Sequence, residues 1–563
     1  MRRLTRYGVI ITAGLLASAA CSSSSPSSTS TSTSGGTAGA SGTLVIDNEN
    51  GALWTCGFNP FNGSDTLVSV GFVYEPLVYV NPLQSGATTP MLATSWSWGA
   101  GNKSLVFNIR QGVKFTDGTP LTAADVAYTF NLIKKYPALD LTGVWSVLSS
   151  VTQTGPFQVT MNFSTEAVPW FYYIADQTPI VPMHIWSTIA NPVAYPDSHP
   201  VGTGPYMVNP CTPSNITYTA NPHFWQPGEP HIATLKYPAF LSNNTANDDL
   251  ANGQAQWGAQ YIPGIQQFYL SKSPDFHYWF PPVLNVSLVP NLTNPLLSNV
   301  KVRQAMAYAI NRPQVSSIGE SGYEPAANQA GIVTPTYSSW LDSSLMGQYA
   351  NYTFDPAKAK QLLAEAGYHM GSNGIMVNSA GKQLAFTVIN IGDYSDWVAS
   401  MQVIVQDLKA VGIQLTPDNL TNTAFEADLY RGEYQIAYYE QATIGPSPYY
   451  ELTDWLDSAD TAPIGKLAAT NMERYINPAT DALIKSYGAT TSVATQHSII
   501  DQLEGVMLSD VPIIPITEGV DWYQYDTASF SGWPTQSDPY AQPPVWAYPD
   551  NEQVLLRLKP IGH

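Results

Sequence analysis

Residue types that do chemistry are present in this chain, but not at the spacings that catalysis or metal binding requires. There is no HExxH pair to grip zinc, no Walker-type loop to cradle phosphate and no GxSxG elbow to raise a serine nucleophile. The eight His are scattered without metal-ligand spacing. His184 sits among apolar and Pro neighbours, the setting of a hydrogen-bonded structural His. Carboxylates are abundant, and 42 Asp and Glu permit many pairs of the kind that cleaves glycosidic bonds. A secreted carbohydrate-active enzyme therefore stays open as a third reading. The chain is also rich in aromatic rings that carry a polar handle, with 33 Tyr and 15 Trp against 18 Phe. Such rings suit wet ligand surfaces as well as cores, and packing accounts for most of them in a large β-rich protein.

The elements that would position such groups can be read locally. Leu105, Phe107 and Ile109 alternate with Val106, Asn108 and Arg110, which predicts a strand. Asp117-Gly118 is a turn dipeptide. Thr122 followed by Asp125 is a capping-box start for a helix reaching about Lys135, before Pro137. Asp355-Pro356, closed by Gly367, frames another helix with an N-cap, a Pro in the first turn and a C-terminal Gly. Ser395-Asp396-Trp397 opens a third, with an expected stripe of Val398, Met401, Val405 and Leu408 ending near Gly412.

The N-terminal region carries an address. Arg2, Arg3 and Arg6 precede an apolar run at 9–20, too short to span a bilayer. Residues 1–20 are read as a signal peptide. Cys21 follows the small pair Ala19-Ala20, with Ser18 where a lipobox usually has Leu, and is expected to carry lipid. Residues 21–42 are the lipid-anchor cysteine and a Ser/Thr/Gly tether, which cannot bury enough apolar surface to order itself. Cys56 and Cys211 then remain as a pair in an oxidising setting, with a disulfide and two buried thiols as the alternatives. A net charge of −19 at neutral pH, with only 12% charged residues, excludes nucleic acid and basic contact with anionic membranes. Membrane attachment is expected through the lipid alone.

The block at 90–130, PMLATSWSWGAGNKSLVFNIRQGVKFTDGTPLTAADVAYTF, resembles the signature of the extracellular solute-binding proteins of the peptide/nickel type, family 5, which serve ABC importers. Its family form is roughly P-x-LA-x-SW followed by F-x-LR-x-GVKF-x-DGTPLTA-x-DV, with Ile109 here replacing Leu. Further segments resemble the same family: IVPMHIW at 180–186, VGTGPY at 201–206, NPHFW at 221–225, VRQAMAYAINR at 302–312, the helix opened by Asp355, and the late strand VPIIPI at 511–516. The resemblance implies an α/β fold, a two-lobed periplasmic-binding-protein clamshell of the large type with an extra subdomain in lobe 1. Lobe 1 is expected over 43–285 and 526–563, with the subdomain at about 89–204, and lobe 2 over 286–525. It also implies a monomer without catalytic residues, metal or cofactor. Such a protein is lipid-anchored outside the cytoplasm and hands a small ligand to ABC permease subunits.

The family binds peptides, nickel complexes, opines and oligosaccharides, so the ligand must be argued from residues. Where peptide binders of this type carry W-x-x-D-x-x-D-P, the segment here ends in Ser447-Pro448. Glu440 is left as a candidate amine partner, which keeps oligopeptide as the alternative. No His-rich patch favours nickel. Ser395-Asp396-Trp397 and the tail GWPTQSDPYA resemble the cello-oligosaccharide binders, and Gln256 rather than an acid precedes Trp257. A neutral oligosaccharide of the cello or manno type is therefore the expected ligand, with Trp54, Trp257, Trp397 and Tyr439 as candidate platforms for the apolar faces of sugar rings. Each of these rings has a core-packing reading beside the ligand reading.

Overall fold

The computed structural model describes residues 40–48, 52–348, 351–392, 394–440 and 444–562. The apolar leader, Cys21 and the tether through residue 39 lie outside the described residues. Among the described residues no helix is long and apolar enough to cross a membrane.

Three sheets organise the chain. The first has seven strands in the order Phe276–Tyr278, Gln524–Asp526, Trp257–Gly258, Ser41–Asp47, Ile232–Pro238, Asn215–Ala220 and Tyr206–Thr212. Ser41–Asp47 runs parallel to both neighbours, setting Leu44 beside Leu235 and Ile46 beside Trp257. The second has five strands in the order Gln414–Leu420, Ala385–Ile391, Ile436–Glu440, Pro282–Pro290 and Ile514–Val520. Its first three strands are parallel and the rest antiparallel. The third is an antiparallel four-stranded sheet of Ala93–Trp98, Ser104–Ile109, Gln158–Phe163 and Leu148–Gly155.

The helix Ala123–Lys135 lies on this third sheet, and its start is the one the sequence encodes. Ala124 N–H donates to Thr122 Oγ1 at 3.2 Å and Thr122 N–H donates to Asp125 Oδ2 at 2.9 Å, so two otherwise orphaned donors are satisfied reciprocally. Ala123, Val126, Ala127, Phe130 and Ile133 form its buried stripe. Asp355 likewise caps its helix, accepting from Ala357 and Lys358 N–H at 3.0 and 2.9 Å. The helix Ser395–Ala410 departs from expectation in its rotation. Its buried stripe runs through Trp397, Met401, Ile404 and Leu408, with Val398 and Val405 half-buried at the flank. Turning the largest apolar side chain inward removes the most area from water.

Two large hydrophobic cores follow from this arrangement, beside a smaller cluster of Leu250, Ala255, Ile262, Ile265, Tyr269 and Phe276. One draws on residues from Leu44 to Ala259, then on Tyr523 to Leu558, with Tyr450 added; the other on Val286 to Ile516. The chain thus passes between the cores twice, at 279–281 and at 521–522. The two passages run side by side, with Trp279 N–H on Tyr523 O at 3.2 Å and Asp521 N–H on Pro281 O at 2.9 Å. Two cores joined by a narrow paired ribbon make a two-lobed clamshell, the geometry of hinge motion.

Cys56 and Cys211 are joined by a disulfide across 155 residues, Cα–Cα 5.8 Å, which ties the loop after the first strand to the sheet's edge strand. Closing so long a loop restricts the unfolded chain. Urea titration of Cys56→Ser/Cys211→Ser is expected to show a loss of about 2–4 kcal/mol; an unchanged midpoint would contradict it.

Candidate ligand-binding site

Where the ribbon crosses, aromatic rings from both lobes converge. Phe280 and Trp522, one from each passage, meet edge-on at 4.8 Å. Tyr323 from the second lobe stands 5.6 Å from Phe280 and 6.0 Å from Trp522. Tyr261 from the first lobe lies 5.2 Å from Trp522 and 6.1 Å from Tyr323. Its hydroxyl is 3.2 Å from Ser321 Oγ across the divide. All four rings are partly exposed, so they form a cage with one side left open, while Phe280 and Tyr323 also pack against the buried cluster of Leu250, Ile262, Ile265 and Tyr269.

A group of carboxyls backs this cage on the second lobe. Glu320 and Glu324 follow the helix Arg312–Ile318, Asp396 lies in the first turn of Ser395–Ala410, and Glu440 ends the strand Ile436–Glu440. Ser400 Oγ donates to Glu320 Oε1 at 2.5 Å, and Thr517 Oγ1 donates to Glu324 Oε2 at 2.7 Å. Among the described residues, the other Glu320 oxygen has no hydrogen-bond partner. Burial pushes Glu320 up to about 7, with Asp396 and Glu440 adding to the effect. Burial and then Asp396 push Glu440 up to about 7. Burial also lifts Glu324 well above the usual carboxylate range. The charges that act on these three groups are other carboxylates, so the cluster carries protons near neutral pH.

The expected platforms are distributed differently. Trp257 is fully buried in the first sheet, its indole N–H on Pro543 O at 2.8 Å and its ring 6.1 Å from Trp533. In this conformation it offers no face to a ligand. Trp54 is 9% exposed, donates to Tyr237 O at 2.9 Å and packs edge-on to Tyr237 at 4.9 Å. Trp397 is 4% exposed between Tyr394 and Tyr438, at 5.1 and 5.4 Å. Tyr439 is half-buried beside Phe425 at 5.8 Å, and Glu440 joins the carboxyl group. The structure therefore brings Trp397 and Glu440 to one end of the second lobe and leaves Trp54 and Trp257 in the first core. The tail that resembles sugar binders wraps the first lobe: Trp533 donates to Asp526 O and Phe530 O, each at 3.1 Å. Tyr261, Phe280, Tyr323 and Trp522 were not singled out in the sequence. Their one local signal is that Phe280 precedes a Pro-Pro pair and Trp522 follows a β-rich run. Among the described residues, no group of three or more His, Cys, Asp or Glu stands where it could hold a metal ion.

Two lobes on a paired hinge, drawn together around an aromatic cage, define the class of clamshell solute-binding proteins. Residues 87–463 match the family of bacterial extracellular solute-binding proteins, family 5 (its middle region), and the chain belongs to that family. It is similar over 92% of its length to the periplasmic oligopeptide-binding protein of an oligopeptide ABC transporter from Thermotoga maritima, with 27% identity, 99% of that chain covered and a TM-score of 0.84. The mannohexaose-bound structure of the Thermotoga protein aligns with the same identity and coverages and a TM-score of 0.78. Among curated relatives, the glutathione-binding protein GsiB of Shigella flexneri is 28% identical over 345 residues, 58% of this chain. The chain spans 64% of the length of that relative.

Proposed function

We propose that this protein is the substrate-binding lipoprotein of an ABC importer, and that it traps a neutral oligosaccharide of the cello or manno type between its lobes. The observation that carries the reading is the cage of Tyr261, Phe280, Tyr323 and Trp522, which spans both lobes and the hinge. Rings of this kind desolvate the apolar face of a pyranose while their hydroxyls and nearby polar groups meet its edge. A micromolar complex needs about 8 kcal/mol, within reach of a few stacked rings and several hydrogen bonds. Ligand contact with both lobes would shift the open–closed equilibrium toward the closed form, which the permease recognises. We place Tyr439 and Glu440 at the second-lobe side of this site. Trp397 is assigned a supporting role, and Trp54 and Trp257 remain candidates only for a more open conformation.

Oligopeptide is the second reading, favoured by the acids around Glu440, which could pair with an amine, and by the glutathione-binding relatives. A thermal-shift titration separates the two. Cello- or manno-oligosaccharides should raise the melting temperature by mass action. A shift given by glutathione or longer peptides, with none from the sugars, overturns the preference.

The anchor is proposed at Cys21. Cys21→Ser should block lipid labelling and release the protein from the membrane fraction; retention of both label and membrane would argue against it.

A further inference from the structure

The lobes also touch directly, through residues that belong neither to the ribbon nor to the aromatic cage. The helix Tyr449–Leu456 is rooted in the second lobe, where Leu452, Trp455 and Leu456 belong to that lobe's core. Its second residue points elsewhere. Tyr450 is 5% exposed and belongs to the core of the first lobe. Its ring stands edge-on to Tyr172 at 5.5 Å and to Tyr173 at 5.7 Å, and its Oη donates to Pro169 O at 2.7 Å. Opening the hinge must draw this ring out of the first core and return apolar surface on both sides to water, which opposes opening.

A second contact begins one residue earlier in the chain. Val168 N–H donates to Gly488 O and Asn102 Nδ2 donates to Ala489 O, each at 3.0 Å. Both acceptors stand at the end of the second-lobe helix Pro478–Gly488, where backbone carbonyls find no partner within the helix. The first lobe thus supplies donors that the helix itself lacks. The approach is close. A Cβ placed on Gly488 would meet Glu166 of the first lobe first, with Glu166 Cβ at 3.4 Å. Gly86, at φ +75° in the first lobe, lies so near the second that a Cβ there would stand 2.9 Å from Pro446 Cβ. Each of these contacts joins protein to protein, and none uses a cage ring or the carboxyls behind it.

We propose that these contacts form a latch that holds the two lobes together without a ligand. A solute that bridges the lobes favours the closed form through its own contacts; the latch favours it with the cage empty or filled, whichever solute the cage takes. It lowers the differential affinity that a solute must supply to close the lobes.

Solution scattering of the purified protein, refolded from urea to strip any bound solute, tests the latch. The ligand-free wild type should scatter as a molecule with its lobes in contact. Tyr450→Ala should lower the ratio of closed to open molecules about ten-fold and raise the radius of gyration. Tyr450→Phe, which keeps the ring and loses the bond to Pro169 O, should give a smaller rise. Gly488→Leu deletes no side chain and wedges Glu166 away from the helix end, so it should also open the molecule, and it keeps the test decisive should Tyr450→Ala unfold. A ligand-free wild type that scatters as an open molecule overturns the latch. So does a closed wild type whose Gly488→Leu variant, or folded Tyr450→Ala variant, stays equally closed.

Discussion

Replacing Trp522 by Ala should weaken oligosaccharide binding by about 30-fold, which corresponds to about 2 kcal/mol. The size follows from its position. Trp522, like Tyr323, touches the three other rings of the cage, and it makes the two shortest contacts, at 4.8 Å from Phe280 and 5.2 Å from Tyr261, with Tyr323 at 6.0 Å. It also lies on one of the two passages between lobes. Its loss removes a stacking surface and loosens three neighbours that depend on it for position, so it should cost more than a peripheral ring. Tyr261→Phe is the companion variant: it keeps the ring and deletes the hydroxyl that reaches Ser321. Its effect should be smaller, about five-fold, and it guards against a folding defect in the Trp522 variant. Fluorescence titration reads both. Wild-type affinity in Trp522→Ala would remove the cage from the site.

The second large effect concerns pH and stability. Burial raises an unusual number of carboxyls: Asp47 to about 9, Glu504 to about 8, and Glu75, Glu320, Glu518 and Asp550 to about 7. All six are almost fully buried. Their unfolded values lie near 4, so between pH 5 and 8 the native state binds more protons than the unfolded chain. The derivative of unfolding free energy with pH is then negative, and stability falls as pH rises through this window. The stabilisation is fully present below the unfolded values and is lost progressively up to the folded ones. Urea midpoints should be higher at pH 5 than at pH 8, by an amount equivalent to a few kcal/mol. Glu320→Gln, which keeps the acceptor for Ser400, should flatten the slope. A midpoint that climbs from pH 5 to pH 8 would show that these groups ionise freely in the fold.

Local structure was the most legible part of the sequence because its causes are local. The Thr122–Asp125 box, the Asp355 cap and the alternation through Leu105, Phe107 and Ile109 each involve residues within a few positions of one another, and the structure has them as expected. The helix at Ser395–Ala410 was legible in extent but not in rotation. Whether Trp397 or Val398 faces the core depends on the strand beneath, where Tyr438 waits, and that contact spans some forty residues. The lobes were legible only through family resemblance. No periodicity reveals that the chain crosses between cores at 279–281 and again at 521–522.

The site was the least legible for the same reason. A Trp with a polar neighbour reads alike in a core and in a cleft. Trp257 is buried because Ser41–Asp47 and Gln524–Asp526 close over it from opposite ends of the chain. Trp522 is open because the ribbon leaves one side uncovered. Glu440 could be picked out through its place in the segment compared with the peptide binders, whereas its partners Glu320, Glu324 and Asp396 reach it only through tertiary folding.

The central claim is that a hinged pair of lobes captures an uncharged sugar chain and releases it unaltered. Calorimetric titration of the purified protein with manno- or cellohexaose, followed by chromatography of the sugar recovered from the complex, tests it in one measurement. The account predicts saturation at one hexamer per protein and recovery of the hexamer at full length. Absence of binding heat from either sugar, or recovery of shortened products, would contradict it.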